Sequence, residues 1–335
     1  MPQHVIFGAG LVGGYLGAAL RYKGELVALV TRPQLRSRYE KGLVLTDVKG
    51  NQGEAQGFSL IDPDAASEPP KADFLWLTVK CTGVEAAVSD LPRYISPQTV
   101  IICCQNGLGS DAPVKRAFPN NTVLKAMVQF NVASPADNHL HRSTDGEVAI
   151  EAHQRVTKLL DSIRSPLLPI NAYEDMNSIL WAKLQLNLSN AIGGLGDVPT
   201  KTMLEDKSYR KVFVLLQKEL LAVVRAQGMV LPKLTGISAE QIPGFMSLPN
   251  WLFKLLGSRM LAIDPNARSS MWWDMKHGKP TEIDHLNGAV VAAGKKLNID
   301  CPCNRIIVEL VHEVEQGKLE QGMSGGYLLR QLQGS

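Results

Sequence analysis

His4-Val5-Ile6-Phe7-Gly8-Ala9-Gly10-Leu11-Val12-Gly13 stands at the head of the chain, and Tyr15-Leu16-Gly17-Ala18-Ala19-Leu20 follows it. The first four residues read as a buried strand, and the last six read as a helix of small and apolar residues that packs closely on one. Between them stands G-x-G-x-x-G. In a strand–turn–helix setting each glycine has its own reason. Gly8 makes the tight turn, Gly10 admits a pyrophosphate, and Gly13 lets the helix approach the strand. The helix start, at Leu11 and Val12, then offers free N–H groups and a partial positive charge to the phosphates. This stretch predicts a dinucleotide site at the edge of an α/β sheet.

The next strand, Leu26-Val27-Ala28-Leu29-Val30, ends in Thr31-Arg32-Pro33. A site for an unphosphorylated ribose calls for Asp or Glu about 20 residues beyond the glycines, accepting from the 2′-hydroxyl. Here the position carries Arg32, with Arg36 and Arg38 close behind. A guanidinium cannot accept from a hydroxyl but pairs well with a 2′-phosphate. The expected cofactor is therefore NADPH/NADP+.

At 335 residues the chain is long for one domain and comfortable for two. Its 45% hydrophobic and 20% charged content is that of an ordinary globular protein. A net charge of +3, with the basic residues scattered, argues against nucleic-acid or membrane partners. The first strand begins so early that a signal peptide has no room. The cysteines, Cys81, Cys103, Cys104, Cys301 and Cys303, are odd in number and poorly spaced for a disulfide framework or for zinc, so the expected compartment is the cytoplasm. His139-Leu140-His141 reads as loop polarity, and no metal is expected.

Strand and helix alternate through the first half. Strands are expected at 73–79, 99–104, 122–132 and 147–151, with a helix from Glu85 to Leu91. Near-continuous apolar strands separated by helices predict a Rossmann-type doubly wound parallel sheet. Ligands on such sheets lie at the carboxyl ends of the strands. Arg32, Lys80 and Asn106 all fall at such ends, on the rim that carries the glycine turn. After Pro166 the character changes, and from about Asn177 the apolar spacing is helical. Short helices and turns are expected over 236–265. The expected architecture is a nucleotide-binding domain at 1–175 and an all-α substrate domain at 176–335, with the active site in the cleft between them.

The segment Ile179–Ile192 reads as one helix, apolar almost all round. Lys183, Asn187 and Asn190 stand at i, i+4 and i+7 and so form a single polar stripe on it. A lysine and two amides in such a helix need polar partners, which a ligand cleft supplies. A second polar cluster runs Ser269-Ser270-Met271-Trp272-Trp273-Asp274 and Thr281-Glu282-Ile283-Asp284-His285-Leu286-Asn287-Gly288. Thr281 and Asp284 fit a capping box, which leaves the Glu282 carboxylate free to meet a partner such as Lys183. Gly288 within a helix suggests close backbone packing.

These pieces resemble the ketopantoate reductases (2-dehydropantoate 2-reductases), NADPH-dependent enzymes of the 6-phosphogluconate-dehydrogenase-like superfamily. The matching residues are Gly8-x-Gly10-x-x-Gly13, Arg32, Lys80 and Gln105-Asn106-Gly107, then Trp181-x-Lys183-Leu184-x-x-Asn187, Ser269-Ser270-Met271-x-x-Asp274, and Thr281-Glu282-Ile283-Asp284 with Asn287-Gly288. The resemblance implies Lys183 as the general acid and Glu282 as the carboxylate that holds the substrate hydroxyl and helps orient the lysine. It implies Ser270 and Asn187 on the substrate side, and Lys80 and Asn106 along the cofactor near its phosphate and nicotinamide ends. Asn190, from the helix stripe, and Asn106 are also expected at the substrate, and Glu282 also at the cofactor. The implied reaction is reduction of 2-dehydropantoate to (R)-pantoate. Ala191 and Ala267 depart from the family pattern, and the 232–265 region is longer than in the shortest members. All three departures lie on the substrate side, so a reductase of another 2-oxo acid is an alternative. A non-catalytic NADP(H)-binding regulatory protein is an alternative of a different class. Apolar surface on the helical domain is compatible with a homodimer.

Overall fold

The computed structural model describes every residue of the chain except Thr235, Arg259, Met260, Ala262, Ile263 and Ser335. The chain divides into two compact units, Met1–Asn177 and Ser178–Ser335.

The first unit begins β1 (Gln3–Phe7), α1 (Leu11–Tyr22), β2 (Leu26–Val30), α2 (Pro33–Glu40), β3 (Leu43–Asp47), β4 (Gln52–Ala55), β5 (Ser59–Ile61) and β6 (Phe74–Leu77). It continues α3 (Val84–Asp90), β7 (Val100–Cys103), α4 (Asp111–Ala117), β8 (Thr122–Val128), β9 (Val132–Ala136), β10 (His139–Arg142), β11 (Val148–Glu151), α5 (Gln154–Ile163) and β12 (Ile170–Tyr173). Eight strands form one sheet in the order β12-β11-β8-β7-β6-β1-β2-β5. Strand β1 lies at its centre because both of its faces are covered. Ile6 packs with Leu16, Leu20 and Trp76 on one face, while Val5 and Phe7 pack with Leu75, Val84 and Leu91 on the other. A strand buried on both faces carries a continuous apolar run, which is why Val5-Ile6-Phe7 shows no alternation, and buried His4 accepts from Trp76 Nε1 at 3.0 Å. The chain leaves β1 for β2 on one side and later returns to β6 on the other, so the order reverses at the carboxyl end of β1.

The sheet is parallel-dominated, as expected, with one antiparallel pair, β11 with β8. Two expectations need correction here. The strand expected over 122–132 stops at Val128, and Val132–Ala136 joins a second sheet, ordered β4-β3-β10-β9. His139 and His141, expected in a loop, lie on β10, where each ring comes within 2.7 Å of the Thr46 hydroxyl. Arg142 follows them, wholly buried. Its Nη2 meets Asp47 Oδ2 at 2.5 Å and the Pro166 carbonyl at 3.1 Å, and its Nη1 donates to the Gly146 carbonyl. The guanidinium also lies over the Phe130 ring at 5.5 Å.

The second unit is helical. Its elements are α6 (Met176–Asn187, beginning just before the boundary), α7 (Ser189–Gly196), α8 (Thr200–Glu205), α9 (Lys207–Ala226), α10 (Ile242–Met246), α11 (Asn250–Leu256), α12 (Ser270–Lys276), α13 (Asn287–Lys296), α14 (Pro302–Glu315) and α15 (Gly325–Gln333). The single helix expected over 179–192 is broken at Leu188, whose φ of −57° and ψ of −23° stay within the helical region. The break leaves the 3.6-residue spacing nearly undisturbed, so the sequence does not betray it. Short helices fill the early part of 236–265, while Arg259, Met260, Ala262 and Ile263 lie outside the described residues. No helix among the described residues is long and apolar enough to cross a membrane.

Candidate active site

The glycine turn has the features its sequence promises. Gly8 takes φ +101°, and a Cβ there would sit 2.9 Å from the Val79 nitrogen. A Cβ on Gly13 would collide with the Thr78 hydroxyl and lie 2.6 Å from the Gly8 carbonyl oxygen. At Gly10 a Cβ would meet nothing within 4 Å, so that glycine leaves open space in front of the helix. Gly10 caps α1, and no side chain serves as its cap. The N–H groups of Leu11, Val12 and Gly13 have no intrahelical acceptors at that position, which suits an oxyanion.

Two hydroxyls that the sequence did not single out fix this turn. Tyr39 on α2 donates to the Ala9 carbonyl at 2.7 Å and lies 3.3 Å from that of Gly10. Thr78 donates to the carbonyls of Phe7 and Gly8 at 3.1 and 2.9 Å. Burial pushes the Tyr39 phenol up to about 12, so it remains a donor at physiological pH. Gly14 is a sequence trace of this contact, since a Cβ there would come within 2.6 Å of the Tyr39 oxygen.

Strands β2, β1, β6 and β7 are in parallel register, with Val30, Phe7, Leu77 and Cys103 side by side. The segments beyond these residues therefore share one rim. Arg32 is exposed and caps α2, while Arg36 is taken up by Glu40 at 3.0 Å. Lys80 is exposed at the start of the Cys81–Gly83 turn. Asn106 is half-buried, and its carbonyl accepts from the Cys81 thiol at 2.7 Å. Gln105, also given no role in advance, is buried and donates to the carbonyls of Leu77 and Val79, tying the ends of β6 and β7 together.

In the second unit Lys183, Asn187 and Asn190 are half-buried, whereas Trp181, Ala182, Leu184, Leu188, Ala191 and Ile192 around them are buried. Desolvation by this apolar setting holds the Lys183 ammonium below the usual lysine range. Ser270 is exposed on the first turn of α12. Its neighbour Ser269 makes the local contacts, accepting from Trp272 N–H at 3.2 Å and donating to the Asn190 carbonyl at 3.1 Å. Arg268 stacks over the Trp272 ring at 4.1 Å and donates to Asp197 at 2.8 Å, which anchors this segment to the end of α7.

Glu282 is 8% exposed. The capping box expected beside it does not form. Thr281 N–H donates to Glu315 Oε1 at 2.7 Å, and Asp284 Oδ1 pairs with His312 Nε2 at 3.0 Å. Partners brought in by α14 replace the local ones, which spacing along the chain cannot reveal. A Cβ on Gly288 would meet the Ile283 carbonyl at 3.4 Å, an ordinary contact, so the close packing expected there is not required.

The sequence model of the family described as "Ketopantoate reductase PanE/ApbA" matches residues 4–155, and that of its C-terminal part matches residues 175–315. A 2-dehydropantoate 2-reductase of Archaeoglobus fulgidus is 24% identical over 318 residues, covering 93% of this chain and 97% of the relative. The crystal structure of a PanE/ApbA family ketopantoate reductase from Ralstonia eutropha JMP134 superposes with a TM-score of 0.77 at 26% identity, over 94% of this chain and 99% of the other. The fold is also that of D-mandelate dehydrogenase in its ternary structure with NADH and anilino(oxo)acetate, with a TM-score of 0.75 at 19% identity over 94% and 99% of the two chains. The chain thus belongs to the ketopantoate reductase family, oxidoreductases acting on 2-oxo acids.

Proposed function

We propose that this protein reduces 2-dehydropantoate to (R)-pantoate with NADPH, a step toward pantothenate and coenzyme A. The observation that carries the reading is Lys183, a desolvated, half-buried lysine on a helix where Trp181, Ala182 and Leu184 are buried, with Asn187 one turn along. Ketone reduction builds negative charge on oxygen, so a cation placed there stabilises the transition state and can deliver the proton. A lysine whose pKa is lowered toward neutrality gives up that proton more readily.

The residues present fit the cofactor. The uncapped start of α1 and the open space at Gly10 suit a pyrophosphate. Exposed Arg32, with no carboxylate paired to it among the described residues, suits a 2′-phosphate. In this reading Lys80 serves the phosphate end and Asn106 the nicotinamide end. When bound, the dihydronicotinamide supplies the two electrons and the hydrogen that the carbonyl carbon receives. Lys183 Nζ holds the carbonyl oxygen and transfers its proton there. Asn187, Asn190 and Ser270 orient the oxo acid, and Glu282 accepts from the substrate hydroxyl. The sum is 2-oxo acid, NADPH and a proton going to 2-hydroxy acid and NADP+.

The second reading, a reductase of a different 2-oxo acid, is favoured by Ala191, which is wholly buried and presents no amide at a position where many family members carry one. The test is NADPH oxidation with 2-dehydropantoate, 2-oxoisovalerate, pyruvate and phenylglyoxylate, repeated with NADH. Turnover specific to 2-dehydropantoate with a preference for NADPH is expected. Faster turnover of another acid would move the assignment to that substrate. Equal use of NADH would remove the role given to Arg32. NADPH binding without turnover of any acid would leave a regulatory protein.

A further inference from the structure

We infer that His312 on α14 is a positioning residue for Glu282, bridging Asp284 and Glu315 so that the turn carrying Glu282 is held from both sides. The inference rests on the role proposed above for Glu282.

Glu282 has neighbours whose polar groups are both claimed by α14. On its N-terminal side, Thr281 N–H donates to Glu315 Oε1 at 2.7 Å. On its C-terminal side, Asp284 Oδ1 lies 3.0 Å from His312 Nε2. His312 Nδ1 is 2.9 Å from Glu315 Oε2, which closes the circuit from Thr281 through Glu315 and His312 to Asp284. Within the turn Ile283 N–H reaches the Thr281 hydroxyl at 3.3 Å, and the Glu282 carbonyl accepts from His285 and Leu286. The chain on each side of Glu282 is thus held by a partner far away in sequence, through the Thr281 backbone N–H on one side and the Asp284 side chain on the other.

The circuit requires two donors from one ring. A neutral imidazole has a single N–H and can satisfy only one of the two carboxylates, while the imidazolium satisfies both. Those carboxylates outweigh desolvation and raise the His312 pKa above its ordinary value, and Glu315 is held below the usual carboxylate range. The charged groups facing the ring are Asp284 from the turn and Glu315 from its own helix. Glu219 on α9 is engaged at the other end of α14, where it accepts from Cys303 and Asn304 N–H at 2.7 and 2.9 Å. The bridge is therefore complete above the pH at which Glu315 protonates and loosens as pH rises through the raised His312 pKa.

The test compares wild type with His312→Gln and Asp284→Asn. It measures kcat and KM across pH with the best 2-oxo acid, NADPH affinity, and the His312 imidazole titration by proton NMR. Removing the bridge is expected to lower kcat about tenfold, the scale of a small misplacement of a reacting group. NADPH affinity should stay unchanged, and the fall in kcat that follows His312 deprotonation should disappear. Asp284→Asn should lower the imidazole pKa and weaken the same limb, which keeps the test alive if His312→Gln folds poorly. In a Glu282→Gln background the cost of His312→Gln should vanish, because the bridge acts through Glu282. A wild-type kcat and pH profile in His312→Gln, or an undiminished cost in the Glu282→Gln background, overturns the inference while the reductase reading stands. Wild type that binds NADPH yet reduces no 2-oxo acid overturns that reading, and the inference with it.

Discussion

Lys183 shows how one residue can be legible in sequence while its environment is not. Its spacing with Asn187 puts a cation and an amide on one stripe, and that much follows from the 3.6-residue period. Its lowered pKa comes from desolvation by burial, which only the packed structure supplies. Lys183→Met keeps the apolar stem and removes the proton donor. We expect kcat to fall roughly 10²- to 10⁴-fold, the usual worth of a general acid, with NADPH affinity held within about twofold because the glycine turn belongs to the other unit. Lys183→Arg should not rescue it, since a guanidinium does not release its proton. Because desolvation disfavours the charged form, the alkaline limb of wild-type kcat should lie below the ordinary lysine range. A Lys183→Met enzyme retaining near-normal kcat would remove the lysine from the mechanism. At Glu282 the sequence revealed less. Thr281 and Asp284 have the composition of a capping box, yet Glu315 and His312 make better partners, and no local rule detects groups brought in by a distant helix.

Among the elements, the six inner strands of the main sheet were readable because burial on both faces demands continuous apolar runs, whereas the edge strands β5 and β12, only partly buried, were not. The second sheet was not, for the opposite reason. Its strands are mostly half-buried or exposed along one side, and β10 reads His-Leu-His-Arg, a pattern that taken alone suggests a polar loop. What makes it a strand is pairing with β3, far away in sequence, together with the buried Arg142–Asp47 contact. Breaking such a pair leaves one charge buried without compensation, which costs about 3–5 kcal/mol. Arg142→Met is therefore expected to lose stability on that order, measured by denaturant unfolding, with an unchanged slope. The pair also sets a pH dependence. Although burial alone would raise it, hydrogen bonds from Asn51, Arg142 and Lys49 hold the Asp47 carboxyl down at about 2. A folded pKa below the unfolded one means the stabilisation is complete above the ordinary carboxylate range and is lost as pH falls toward about 2. Arg142→Met should flatten that acid limb. Stability within error of wild type at neutral pH would show that the small sheet does not depend on the pair.

At the scale of the whole chain, the proposed roles fall separately in the two units, and this division predicts a thermodynamic signature. The glycine turn, Arg32, Lys80 and Asn106 lie in Met1–Asn177, while Lys183, Asn187, Asn190, Ser270 and Glu282 lie in Ser178–Ser335. A ligand stabilises the state that binds it by RT ln(1 + [L]/Kd), so NADPH at a hundredfold excess over its Kd contributes about 2.7 kcal/mol. For a unit of this size that is a rise in Tm of roughly 5–10 °C by calorimetry. The place of the effect follows from the same division. Hydrogen exchange with NADPH alone should slow in peptides covering the glycine turn and the starts of the segments after β2, β6 and β7, with α9 and α14 unchanged. These are the rim segments that Tyr39, Thr78 and Gln105 already hold in place, so binding has little backbone left to order. The effect should then be strong at the exposed N–H groups of α1 and weak on the strands themselves. Addition of the 2-hydroxy acid product with NADP+ should extend protection to α6, α7 and the Thr281–Asp284 turn. NADPH-induced protection concentrated in Ser178–Ser335, with none at the glycine turn, would remove the nucleotide site from the first unit and with it the role proposed for Arg32.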